Sequence, residues 1–380
     1  MKVLHVVDSI DASQGGGMAE RTFQLALALH RANVTCTVLC TDMGLSEKRR
    51  DELQGIKLIA VPILFRRFLV PWISLRRVVA LVADADIVHV TGHWSLLGAL
   101  VCLIAQRLGK PYVYCPAGSL RIFGRSSGLK RLYNSWAGRR IVAAASRCLA
   151  VTELERVQFN EYGVHDGRIV VLPNGVHAAS GNAAMPDAFK KYYGLEGKSI
   201  VLFLGRLSPI KGPDMLLAAF EGIARQLPAV QLVFAGPDSE LGRGLKFKVA
   251  RAGLSDRVLF TGFLAGQGKQ DALAAADLLV VPSRHEAMSL VALEAGLHAT
   301  PVLLTDQCGF DEVQFVGGGA VVAANERALA AGMQEMLKDP EQLIGMGLRL
   351  QALVLSRYTW DGLTQRALEL YAALIRESRN

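Results

Sequence analysis

The sequence predicts an α/β protein made of two tandem doubly wound domains, each a parallel sheet covered by helices on both faces. Three observations lead there. Uninterrupted Val/Ile/Leu runs alternate with amphipathic patterns of helical period, as expected for parallel strands buried on both sides. The alternation restarts after a polar stretch at 174–197. At 380 residues the chain also exceeds what a single hydrophobic core usually serves.

In the first half the strand runs are KVLHVVDS, NVTCTVLCTD, IKLIAVPI, DIVHVTG, PYVYCPAG, RCLAVT and RIVVLPNG. Helical patterns fall between them, among them MAERTFQLALALHRA and LKRLYNSWAGRRIVAAAS. The second half repeats the alternation with SIVLFLGR, VQLVFAG, RVLFTG, DLLVVPS, PVLLTD and GAVVAAN. The closing pattern YTWDGLTQRALELYAALI is an amphipathic helix in which Trp360 and Tyr371 read as packing residues. Tandem sheets of this kind are expected to face each other across a cleft, with ligands beyond the carboxyl ends of the strands.

The composition, 51% hydrophobic, is that of a core-rich globular chain and not of a disordered one. Apolar runs such as 95–106 fall short of a membrane span. The first residues, MKVLHVVDS, lack a secretory signal pattern, which points to a cytoplasmic protein. Six cysteines without a CxxC pair read as reduced core residues, with no metal site. The net charge of +8 is uneven: residues 1–180 hold 22 Lys and Arg against 13 Asp and Glu, whereas 181–380 hold 20 against 21. Basic clusters mixed with aromatics, FRRFLVPWISLRRVV (65–79) and RIFGRSSGLKRLYNSWAGRR (121–140), suit an anionic membrane surface or an anionic lipid substrate. A peripheral position on the inner face of the membrane follows as an expectation. No nucleic-acid module is recognisable.

The chemistry concentrates in RHEAMSLVALEAGLHATP (284–301). Glu286 is expected on the loop after a strand and Ser289 at the start of a helix, with Glu294 along its flank. The free N–H groups of that helix start suit an anion, and each carboxylate can accept hydrogen bonds from vicinal hydroxyls. GRLSPIKGPDMLLAAF (205–220) places Arg206 at a strand end and Lys211 before a helix that Pro213 can begin, a pyrophosphate clamp in electrostatic terms. In QGGGMAERTFQLALAL (14–29) glycines 15–17 are expected to precede a helix and to let the backbone approach a phosphate. The dehydrogenase pattern G-x-G-x-x-G fails there, because Glu20 stands at its last position. Asp42, which could imitate the ribose-binding acid of such a site, is discounted for the same reason.

Taken together, these segments resemble glycosyltransferase family 4, retaining transferases of the GT-B fold. The resemblance runs through Gly16-Gly17, PNGV (173–176), Gly205-Arg206 with Lys211-Gly212, AGP (235–237), TGFL (261–264), Glu286 with Glu294, and the terminal Trp/Tyr helix. It implies an acceptor-side domain at 1–178, a donor domain at 179–358, and a last helix, 359–380, returning to the first domain. It implies a nucleotide diphosphate sugar donor of UDP or GDP type, no cofactor, and a lipid-linked or polysaccharide acceptor, as in bacterial surface-polysaccharide transferases. Arg206 and Lys211 would hold the diphosphate, Glu286 the sugar hydroxyls and Glu294 the ribose. Backbone N–H groups near Ser289, Leu290 and Val291 would add phosphate contacts, Phe263 and Leu264 would meet the base, and Gly16 and Gly17 would approach the diphosphate. No metal is implied and no covalent nucleophile is assigned; Glu286 in that role is the alternative. The chain departs from the family at CPAGSLR, where Ala117 stands in place of a His. His93 and Arg121 are the acceptor-side candidates to replace it. Two other readings remain, a GT-B-fold sugar 2-epimerase and a non-catalytic nucleotide-sugar-binding protein.

Overall fold

A computed structural model describes residues 1–65, 69–122, 126–178 and 183–379. Arg66, Arg67, Phe68 and Arg125, which belong to the two basic stretches, lie outside the described residues. Each of the strand runs named above forms a strand, and the apolar run 95–106 falls in the helix Leu96–Arg107. The first sheet holds β1 (Lys2–Val6), β2 (Thr35–Thr41), β3 (Lys57–Val61), β6 (Ile87–Thr91), β7 (Tyr112–Cys115), β8 (Arg147–Ala150) and β9 (Ile169–Val171). Its order is β3-β2-β1-β6-β7-β8-β9, and every pairing is parallel. Between β3 and β6 a small antiparallel hairpin, β4 (Ile63–Phe65) with β5 (Val70–Pro71), was not legible in the sequence; strands of three and two residues carry no readable alternation. The second sheet holds β10 (Ser199–Leu204), β11 (Val230–Ala235), β12 (Val258–Gly262), β13 (Leu278–Val281), β14 (Val302–Thr305) and β15 (Gly319–Val322), in the order β12-β11-β10-β13-β14-β15, again all parallel.

The chain divides into two compact units, 1–175 with 360–380, and 176–359. Each has its own apolar core, built on the strand faces and the helices that cover them. β6 shows why its run reads as unbroken: all five of its residues are buried. In the first unit the terminal helix Trp360–Glu377 packs on the helix Ala12–Arg31, with Trp360 and Tyr371 among the largest fully buried side chains. A Cβ on Gly175 would stand 2.7 Å from Leu363 and 2.9 Å from Trp360, so the PNGV segment needs glycine there for the close approach of that helix. Arg21, 1% exposed, donates from the same helical layer to the carbonyls of Leu172 and Pro173 and to Asn174 Oδ1, at 2.7, 2.6 and 3.0 Å. It closes the open end of β9.

The glycines 15–17 lead into the long helix as expected, but a short turn capped by Asp11 precedes them from Ala12, and Gly16, with φ 57° and ψ −140°, kinks the chain between that turn and the run to Arg31. A kink with that geometry is closed to ordinary L-residues and is where the glycine run is needed.

Candidate active site

In the second unit three strand ends converge. After β10 the chain runs through Gly205 to the exposed Arg206, then a 3₁₀ turn Pro209–Lys211, then the helix Pro213–Ile223 with proline in its first turn. Gly212 has φ 69°, and a Cβ on it would lie 2.0 Å from the Pro282 carbonyl oxygen. The turn therefore lies directly against the end of β13. Gly236 is equally tight, its Cβ position being 2.0 Å from the Gly205 carbonyl oxygen. The glycines of these motifs bring backbones together at the sheet's carboxyl edge.

Arg284 fastens the β13 loop to that turn. Its N–H donates to the Ile210 carbonyl at 2.8 Å, and its guanidinium makes a bidentate pair with Asp214 at 2.9 and 2.7 Å. Burial raises the Asp214 pKa, but the Arg284 hydrogen bonds and charge outweigh it and leave the carboxyl below its ordinary value. Lys211 Nζ then reaches Glu286 Oε1 at 2.7 Å, while Glu286 Oε2 accepts from Ser283 Oγ at 2.9 Å. The Glu286 N–H donates to the Gln307 carbonyl beyond β14. Both side chains are largely enclosed, 26% and 13% exposed, so the pair is poorly screened.

Ser289 caps the helix Leu290–Leu297, its Oγ accepting from the Ala292 N–H at 3.3 Å. Leu290 and Val291 are the first two helical residues, whose N–H groups find no acceptor within the helix. Glu294 lies farther along it, with Oε1 2.7 Å from Lys269 Nζ of the helix Gly266–Ala275. After β12 and the left-handed Gly262, Phe263 is 71% exposed and Leu264 half-buried. This unit thus presents cations, carboxylates, a helix start and an unsupported aromatic ring along one edge of its sheet.

The first unit treats its two candidates differently. Arg121 is exposed. His93 is 1% exposed, with Nδ1 2.9 Å from Tyr114 Oη and Nε2 2.8 Å from Asn134 Oδ1, inside a cage of Tyr114, Tyr133, Tyr162 and Trp94 rings. Burial pushes its pKa down to about 4, against the Asn134 hydrogen bond. Both nitrogens are engaged, so His93 is a structural residue in this structure and not an open acceptor contact. Ala117 takes φ 47°, next to Gly118 at φ 83°, and the buried Glu155 holds this loop by accepting from the N–H groups of Gly118 and Val151.

Two family models match the chain: Glycosyl transferases group 1 over residues 186–347, and the Glycosyl transferase 4-like domain over 16–175. The D-inositol 3-phosphate glycosyltransferase of Nocardia farcinica is 34% identical over 308 residues, covering 77% of this chain and 67% of the relative. Its counterpart in Segniliparus rotundus is 30% identical over 305 residues, with the same coverage of 77% and 67%. The chain belongs to the family 4 glycosyltransferases. The structure of Anabaena HepE in complex with UDP matches this transferase with a TM-score of 0.80 at 19% identity, over 98% of this chain and 100% of that one, which fixes the fold as GT-B.

Two side chains of this candidate site had no signal in the sequence. Lys269 is a single cation in a helical pattern, and only the fold sets it against Glu294. Arg284 stands two residues before Glu286, and its partner Asp214 is 70 residues away. Among the described residues no helix is long and apolar enough to cross a membrane, and no group of three or more His, Cys, Asp or Glu is placed to hold a metal ion.

Proposed function

We propose that this glycosyltransferase moves a sugar, with retention of configuration and without a metal ion, from a uridine diphosphate sugar to a lipid-linked or saccharide acceptor at an anionic membrane surface. The observation that carries the reading is the Lys211–Glu286 pair at the carboxyl edge of the second sheet, beside the helix start at Ser289. The diphosphate of the donor competes with Glu286 for Lys211. Once Lys211 and Arg206 turn to the phosphates, the Glu286 carboxylate is released to accept hydrogen bonds from the sugar hydroxyls. Glu294, steadied by Lys269, takes the ribose hydroxyls, the N–H groups of Leu290 and Val291 meet phosphate oxygens, and Phe263 with Leu264 covers the base.

Transfer breaks the bond between the anomeric carbon and the β-phosphate oxygen and joins that carbon to the acceptor oxygen. The acceptor proton passes to a phosphate oxygen of the departing nucleoside diphosphate. Arg206, Lys211 and the helix start stabilise the negative charge that develops there, each such group contributing about 2.7–4 kcal/mol. No covalent nucleophile enters this reading: in the donor complex Glu286 keeps the Ser283 hydrogen bond on one oxygen and accepts from the sugar hydroxyls with the other. The uridine choice rests on the UDP complex of a structural neighbour. The anionic acceptor rests on the basic first half and on relatives named for inositol 3-phosphate.

The test is transfer from UDP-sugars to a lipid-phosphate or saccharide acceptor panel, with proton NMR of the product anomer and with EDTA added. Retained configuration, insensitivity to EDTA, and loss of transfer in Arg206→Ala and Glu286→Ala with the fold intact are expected. Full activity in both variants would overturn the assignment.

A further inference from the structure

The strand order of the first sheet sets up a crevice that the donor chemistry does not use. The chain leaves β1 outward through β2 and β3, then returns to lay β6 on the other side of β1 and builds outward to β9. The carboxyl ends of β1 and β6 are therefore the switch point of that sheet, where doubly wound folds bind their ligands. A side-chain hydrogen bond crosses it. Ser95, in the loop after β6, donates from Oγ to Asp8 Oδ1, just beyond β1, at 2.5 Å. The same Oγ accepts from the Gly98 N–H at 2.9 Å and caps the helix Leu96–Arg107, so its proton is committed to Asp8. The Asp8 backbone is fixed as well, its carbonyl accepting from the Thr41 N–H at 2.9 Å and from Thr41 Oγ1 at 2.5 Å. Glycines shape the turns around this pair. Gly92, at φ 95°, follows β6, and a Cβ on Gly15 would lie 2.8 Å from the Ser9 carbonyl oxygen.

Asp8 is unlike the carboxylates of the second unit. Glu286, Glu294 and Asp214 each face a cation, Lys211, Lys269 and Arg284 in turn. Among the described residues Asp8 pairs with no cation, and Ser95 is its side-chain partner. The ionisable groups that face it are the Cys40 thiol of β2 and the Tyr133 phenol, where the helix Ser127–Tyr133 runs into a π turn at Asn134–Gly138. Burial raises the pKa of both and keeps them neutral. Burial also pushes the Asp8 carboxyl up to about 6, against the Ser95 hydrogen bond. A carboxylate held without a cation costs stability that a neutral side chain would not. Such a group at a ligand crevice is a mark of function.

We propose that Asp8 binds the hydroxyls of a saccharide end of the acceptor at this switch point, so that the group glycosylated is a sugar hydroxyl and not a phosphate. The inference rests on the transferase reading above and deepens it by naming the class of the reacting group. An ionised carboxylate only accepts hydrogen bonds, and its lone pairs suit O–H donors. Among the described residues Asp8 Oδ2 takes part in no hydrogen bond. The start of the helix Leu96–Arg107 would by itself draw a phosphate, but Asp8 already places a negative charge against its cap. A phosphate there meets like charge, whereas a polyol meets an acceptor. The selection acts at the reacting end alone, so it is compatible with an anionic group elsewhere in the acceptor.

The test first titrates UDP-sugars into the full chain, then follows UDP release from those that bind. Octyl glucoside, octyl galactoside, octyl mannoside and octyl phosphate serve as acceptors, sharing one tail and differing in the end they present. Turnover of at least one glycoside, and none of octyl phosphate, is expected. Asp8→Asn keeps an oxygen for the Ser95 hydrogen bond but loses the charge. It should raise the acceptor KM at least tenfold, leave UDP-sugar affinity within about twofold, and melt at an equal or higher temperature at pH 7.5. In the wild type the acceptor KM should rise about fourfold from pH 7.5 to pH 5.5, as a group titrating near 6 requires, and Asp8→Asn should show no such rise. An unchanged acceptor KM in Asp8→Asn overturns the proposal. So does glycosylation of octyl phosphate in preference to every glycoside, or donor binding with no glycoside turned over. A lower melting temperature for Asp8→Asn makes Asp8 a structural residue, with the same result. Intact donor binding beside a failed Asp8 test leaves the transferase reading standing, whereas no donor binding by the wild type fails that reading and this inference with it.

Discussion

Gly212 meets two demands that no other residue meets together, a left-handed backbone and van der Waals contact with the Pro282 carbonyl. Gly212→Ala strains the turn and pushes Lys211 off Glu286 at once. A loss of more than about 1 kcal/mol is expected. It should appear as a lower thermal midpoint of the second unit, together with a fall in transfer. Lys211→Ala separates the two effects. It leaves Gly212 and the turn in place but removes a cation from the leaving phosphate, so the transfer rate should drop by about 10²–10³ while the midpoint changes little. An equal loss of stability in both variants would mean that Lys211 is mainly structural.

At the scale of elements, Arg21 joins the first helix to the end of β9, and Gly175 admits the terminal helix beside it. Arg21→Ala removes the donor from the Leu172 and Pro173 carbonyls, at a cost of about 1–3 kcal/mol for each buried acceptor left unmet. A lower urea midpoint for the first unit checks this. These links also mark where the sequence stops being legible. The strands of both sheets and the Ser289 cap could be read because each is encoded in a few consecutive residues: apolar runs, a serine before a helical period, a proline at a first turn. Pairings between distant elements could not. Nothing local shows that Glu294 meets Lys269, that Arg284 meets Asp214, or that His93 turns into a cage of tyrosines and not toward solvent. The π turn at Asn134–Gly138 leaves no trace in hydrophobic period either, because it shifts the face by a fraction of a turn. Glycines 15–17 read as a phosphate approach, whereas Gly175, Gly212 and Gly236 carried no role legible in the sequence; they are needed because backbone or side chains crowd them.

At the scale of the molecule, the first unit is built around neutral histidines. His5 and His89 sit fully buried on adjacent strands with ring centres 5.4 Å apart, and His89 Nδ1 lies 2.5 Å from Tyr371 Oη of the terminal helix. Burial pushes the His5 and His93 pKa values down to about 4; burial, with His5 and Arg21 nearby, holds His89 well below its ordinary value. Histidines lowered on folding bind fewer protons than in the unfolded chain, so their contribution is lost as pH falls from about 6.5 toward 4. His5 and His93 each cost about 2 kcal/mol by pH 5, and His89 acts in the same direction. Asp8, pushed up to about 6 by burial against the Ser95 hydrogen bond, and Glu155, raised chiefly by burial, act in the opposite direction and offset part of the loss. The first unit should therefore unfold at lower urea at pH 5 than at pH 7, and His5→Phe should flatten that dependence. The most direct measurement for the whole account is calorimetric titration of UDP-glucose into the full chain and into Arg206→Ala, Lys211→Ala and Glu286→Gln. The account predicts saturable binding by the wild type and at least tenfold weaker binding by the two cation variants. Glu286→Gln should keep its affinity for UDP alone while losing its preference for the sugar-bearing donor. Identical titrations for all four proteins, or no binding by the wild type of any nucleotide sugar tried, would contradict it.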